Sequence, residues 1–79
     1  MIVYVATHTD KHGFDETRVF RTSASADAWR IKVAKDEWPI SCFDMRMPED
    51  DSWMAQTFWD IAHDVGDMRF CITQCEIED

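Results

Sequence analysis

A chain of 79 residues with 46% hydrophobic content, four Trp and five Phe has large side chains for one core and little more, since so short a chain buries only about 60% of its unfolded surface. That composition excludes a disordered chain, and a net charge of -8 disfavours direct binding to nucleic acid, which needs Lys and Arg against phosphates. The apolar run Ile2 to Ala6 is too short for a signal-peptide core or a membrane span. The expectation is one domain, 1–79, in the cytoplasm, with Cys42, Cys71 and Cys75 as reduced thiols.

Ile2 to Thr7 is rich in β-branched and aromatic residues, and Thr17 to Thr22 reads as a second short strand. The polar cluster Asp10-Lys11-His12-Gly13 between them makes the pair a hairpin. Thr22 or Ser23 then supplies a side-chain oxygen to the first turn of a helix. In that helix Ala24, Ala28, Ile31, Ala34 and Trp38 recur at helical spacing, and Pro39 is expected to end it near residue 37.

From Ile40 to Met47, Phe43, Met45 and Met47 alternate with Asp44 and Arg46, the pattern of a short strand with one buried face. Pro48, Glu49, Asp50 and Asp51 open a second helix, where proline costs no hydrogen bond and carboxylates meet the positive end of the dipole. It runs to about Val65, with Gly66 as terminator. Asp67 to Glu78 reads as the last strand, with Met68, Phe70 and Ile72 on one face and Cys71, Thr73, Cys75 and Ile77 on the other. The fold class is therefore α+β, a small antiparallel sheet of three or four strands packed with two helices in the order β-β-α-(β)-α-β.

The charge is unevenly placed. Residues 1–48 hold seven acids and seven bases, whereas residues 49–79 hold nine acids against Arg69 alone. Concentrated negative charge steers association toward basic surfaces, and it also serves simply to keep a small protein in solution. On the second helix, Met54, Phe58, Ile61, Ala62 and Val65 project onto one arc, the predicted core face. Asp50, Trp53, Thr57, Asp60 and Asp64 project onto another. Asp60 and Asp64 lie about 6 Å apart along the axis, and Asp50 lies about 15 Å before Asp60, so the row loosely imitates a line of phosphates. Trp53 would add a large apolar anchor of the kind that dominates interfaces, unless it folds back over the sheet edge. The candidate partner-binding residues are Glu49, Asp50, Asp51, Trp53, Asp60, Asp64 and Asp67.

Catalysis and metal binding have weaker support. His12 with Asp10 or Asp15 is the one local acid–base grouping, no nucleophile sits in a recognisable setting, and there is no Gly-rich phosphate loop. No enzyme activity, cofactor or metal is expected. The competing reading is a small metal-binding or structural accessory protein: His8 and His12 with Cys71 and Cys75 would supply two imidazoles and two thiolates to zinc if their strands are neighbours. The simpler assignment makes both histidines exposed hairpin residues and the cysteines small strand-face side chains.

The segment Thr7 to Asp15, followed by Val19-Phe20-Arg21-Thr22 and Ala24 to Trp29, resembles small proteins of phages and mobile elements in which a K/R-H-G-x-D hairpin leads into a capped helix. That resemblance covers residues 2 to 38 and implies a viral or prophage origin. The whole profile, short and acidic, is similar to that of the anti-CRISPR proteins, several of which occupy basic nucleic-acid channels of Cascade-type surveillance complexes. The similarity implies a phage-encoded inhibitor in the host cytoplasm whose partner is a basic nucleic-acid-binding host protein, such as a CRISPR surveillance complex.

Overall fold

The computed structural model describes residues 1–41, 45–66 and 68–78. Strand β1 (Ile2–Thr9) and strand β2 (Asp15–Phe20) form the expected hairpin, followed by helix α1 (Ser23–Ser41), helix α2 (Asp51–Val65) and strand β3 (Arg69–Glu76). The sheet is antiparallel throughout, in the order β2-β1-β3, with Tyr4 opposite Phe20 on one side and Gln74 on the other. Among the described residues the fold is a small α+β layer of three strands and two helices. No helix among the described residues is long and apolar enough to cross a membrane.

The hairpin loop is organised by Asp10, whose Oδ1 accepts the His12 N–H at 2.8 Å and the Phe14 N–H at 3.0 Å. Gly13 turns the chain at φ 85°, a left-handed conformation for which glycine carries no steric penalty. The Phe14 hydrogen bond and, beyond it, that of His12 and the nearby imidazoles hold the Asp10 carboxyl below its ordinary value, more than offsetting its slight desolvation.

Thr22 begins α1, its Oγ1 accepting the Ser25 N–H at 3.1 Å. Two expectations for this helix are corrected. It does not end near residue 37 but continues through Pro39 to Ser41. A proline this close to the C-terminus removes one hydrogen bond from the last turn, and Pro39 is exposed while its neighbour Trp38 is buried and anchors that turn. The expected apolar stripe is also rotated: Ala24 and Ala28 are exposed, and Ala26, Trp29, Ala34 and Trp38 are buried. A tryptophan removes far more apolar surface from water than two alanine methyls, so Trp29 sets which arc turns inward.

The strand expected over Ile40 to Met47 is not found among the described residues. Ile40 and Ser41 belong to α1, Met45 to Met47 are exposed coil, and the part over 42–44 lies outside the described residues. The Met45 carbonyl accepts the Trp38 indole N–H at 3.0 Å, so the chain folds back on the helix end instead of joining the sheet.

Both helices pack on one face of the sheet. Alternation along β1 turns Tyr4, Ala6 and His8 toward them, together with Phe20 of β2 and Phe70 of β3. The core is aromatic: Trp59 contacts Phe58 and Phe70 at centroid distances of 4.9 and 5.2 Å, and Trp29 contacts Phe70 at 5.1 Å. Trp59 also donates its indole N–H to the Arg30 carbonyl at 3.2 Å, tying α2 to α1.

His8 is a further correction. Its ring does not lie in the exposed loop but sits 5.8 Å from Trp59 and 6.2 Å from Phe70, with a buried Nε2 that has no hydrogen-bond partner. The even-numbered β1 positions face the helices, so residue 8 is carried inward with Ala6. His12 is exposed, as expected.

Candidate functional site

Helix α2 starts where Asp50 holds an extended backbone and its carboxylate accepts the Trp53 N–H at 2.8 Å. This N-cap satisfies one of the free amides of the first turn and places a negative charge at the positive end of the dipole. The helix stops at Gly66, at φ 75°, whose N–H returns to the Ala62 carbonyl at 3.0 Å. Between these caps the buried residues are Met54, Ala55, Phe58, Trp59 and Ala62. The predicted core arc was turned too far the other way: Val65 is 61% exposed and Ile61 only half-buried, whereas Trp59 is buried.

This orientation directs Trp53, Asp60 and Asp64 outward. Trp53 is 69% exposed, so its indole stands in solvent and does not fold over the sheet edge. Beside it runs a shallow groove lined by Asp50, Ser52, Trp53, Gln56, Thr57 and Asp60. Asp60 forms its far rim, oriented by the Gln56 amide, which donates to it at 3.0 Å. Asp64 is exposed one turn further on.

The remaining predicted acids are placed differently. Asp51 pairs with Lys35 of α1 at 3.0 Å, both half-exposed, and so points toward the other helix. Glu49 precedes the helix and faces Arg46 at 3.9 Å, where both are almost fully exposed and such a pair contributes little. Asp67 lies outside the described residues. Ser52 and Gln56 were not singled out from sequence. At 100° per residue Gln56 falls only about 40° from Asp60, so a wider arc would have included it.

The zinc set is divided by the sheet. Cys71 lies opposite Thr7 and Cys75 opposite Val3 in the register, and these odd-numbered β1 positions face away from the helices, whereas His8 faces toward them. Among the described residues no group of three or more His, Cys, Asp or Glu side chains is gathered for a metal ion. The acid–base grouping is likewise committed to structure. The Asp10 carboxylate takes the backbone N–H groups of His12 and Phe14, and Asp15 accepts the Thr9 hydroxyl at 2.6 Å.

No protein-family model, curated protein or solved structure matches this chain.

Proposed function

We propose that this is a non-catalytic acidic binding protein of phage type, which acts like an anti-CRISPR inhibitor by occupying the basic nucleic-acid-binding surface of a host defence complex in the cytoplasm. The observation that carries this reading is the 69% exposure of Trp53 within a row of carboxylates on one helix face. A tryptophan left in water forgoes the burial that its size favours, and such side chains anchor interfaces. Asp50, Asp60 and Asp64 flank it with the charge that steers approach to Lys and Arg. Glu49 lies at the margin of this face, and Asp51, held by Lys35, is peripheral to it.

The test is competition. A purified Cascade-type complex is mixed with labelled target duplex, and loss of DNA binding is followed as the protein is added at two salt concentrations. Inhibition should weaken at high salt and should fall at least tenfold in an Asp60→Lys/Asp64→Lys double variant that keeps its fold, because like charges facing each other in an interface cost several kcal/mol. The proposal fails if the protein itself shifts the DNA at micromolar concentration, or if the folded double variant inhibits as the unaltered protein does.

A further inference from the structure

Resting on that reading, we propose that the groove beside Trp53 takes an arginine side chain of the partner, its guanidinium stacked on the indole face and hydrogen-bonded to one carboxylate of the rim, Asp50 or Asp60, and that it selects arginine over lysine.

The groove has an apolar wall and a charged rim. Trp53 supplies a flat, solvent-facing π surface, while Asp50 and Asp60 stand on the same groove. A cation is the occupant that satisfies both, since the ring face and the carboxylates each attract positive charge. Neither carboxylate is exhausted by its contacts inside the protein. Asp50 engages the Trp53 N–H through Oδ1, and Asp60 engages the Gln56 amide through Oδ1, so each retains a second oxygen able to accept from outside.

Geometry favours guanidinium over ammonium. A guanidinium is planar and weakly hydrated, so it stacks on an indole while its edge N–H groups reach a carboxylate in the ring's plane of approach. An ammonium is a compact, strongly hydrated charge and loses more water to make the same contact. The molecule already contains the first half of this arrangement. Arg18 places its guanidinium carbon 4.6 Å from the centroid of the Trp29 ring while its Nε donates to Glu16. At Trp53 the aromatic face and the acids are present, and among the described residues no Arg or Lys of the chain lines the groove.

The experiment uses the full chain labelled with ¹⁵N and two peptides of equal charge, hexa-arginine and hexa-lysine, titrated at low and at physiological salt. The Trp53 indole signal, assigned by its loss in Trp53→Phe, reports occupancy of the groove. Hexa-arginine should move that signal and bind about fivefold more tightly than hexa-lysine, as expected from an exposed cation–π contact with added bidentate bonding. Trp53→Ala should bring the two affinities within about twofold of each other, and Trp53→Phe should retain part of the difference. Circular dichroism establishes that each variant keeps its helices. Equal affinities in the unaltered protein, an unchanged ratio in Trp53→Ala, or binding that leaves the Trp53 indole unmoved would overturn the arginine assignment and leave the acidic-surface reading standing. Failure of both peptides to bind at low salt would overturn both.

Discussion

Asp50 and Trp53 are coupled through the backbone: the carboxylate that begins α2 accepts the N–H of the residue whose side chain stands most prominently on the outer face, at 2.8 Å. The first turn and the orientation of the indole therefore depend on the same acid that rims the groove. A substitution at position 50 acts on the fold and on the binding face together, and the two effects need separate variants.

Asp50→Ala should destabilise the protein by about 1 kcal/mol, the usual loss for an N-cap. Asp50→Asn should restore most of that stability, because the amide oxygen also caps, while still lowering affinity for a basic partner through the lost charge. Urea unfolding of the two variants beside a binding measurement separates the terms. Equal stability of Asp50→Ala and the unaltered protein would remove the cap from the account.

Two tryptophans on one helix should behave oppositely. Trp59 is 4% exposed, packs on Phe58 and Phe70 and donates to the Arg30 carbonyl. Trp59→Ala should cost about 3 to 5 kcal/mol, enough to threaten a small domain. Trp53→Ala should change stability by no more than about 0.5 kcal/mol. Thermal and urea unfolding check both, and a large loss at position 53 would mean that the indole has a structural role.

His8→Phe should leave stability unchanged or raise it by up to about 1 kcal/mol. The substitution keeps an aromatic ring against Trp59 and Phe70 and removes a buried Nε2 that has no hydrogen-bond partner. Because His8 and the two strand cysteines, Cys71 and Cys75, lie on opposite faces of the sheet, dialysis against a chelator should leave the unfolding midpoint where it was. A fall in the midpoint after chelation, restored by zinc, would revive the metal-binding reading.

The hairpin should loosen in acid. The Asp10 carboxyl is held below its ordinary value of 3.8, first by the Phe14 hydrogen bond. The folded form thus binds this proton less readily than the unfolded one. The stabilisation is fully present above 3.8 and is lost as pH falls through the lowered folded value. Amide exchange at His12 and Phe14, taken relative to the intrinsic rate at each pH, should quicken over that window in the unaltered protein. In Asp10→Asn it should be quicker at neutral pH and lack this step. Identical profiles would show that the carboxylate's charge does not hold the loop.

Local chemistry made several features legible from the residues alone. Although α2 begins later than Pro48, with Asp50 as its N-cap and Pro48 and Glu49 before it, Gly66 ends the helix as expected, because a left-handed glycine is a short-range device. The Asp10 cluster with Gly13 makes a turn for the same reason. The outward direction of Trp53, Asp60 and Asp64 also followed from helical projection, which groups them on an arc separate from Met54, Phe58 and Ala62 wherever the helix begins.

What the tertiary structure alone decided was rotation, continuation and pairing. Each helix turned to bury a tryptophan, Trp29 or Trp59, absent from the arc chosen by counting apolar residues. Counting weighs an alanine like a tryptophan, whereas burial scales with area. Helix α1 outlasted Pro39 because Trp38 packs on Phe58 across the helix pair, and Asp51, which projects about 160° away from Trp53, met Lys35 of α1 at 3.0 Å. His8 packed beside Trp59 and Phe70 because alternation along β1 carried residue 8 to the helix side. Spacing in one segment determined what that segment becomes. The position of another segment determined which of its side chains meet water, because burial and ion pairing depend on neighbours that lie far away in the chain.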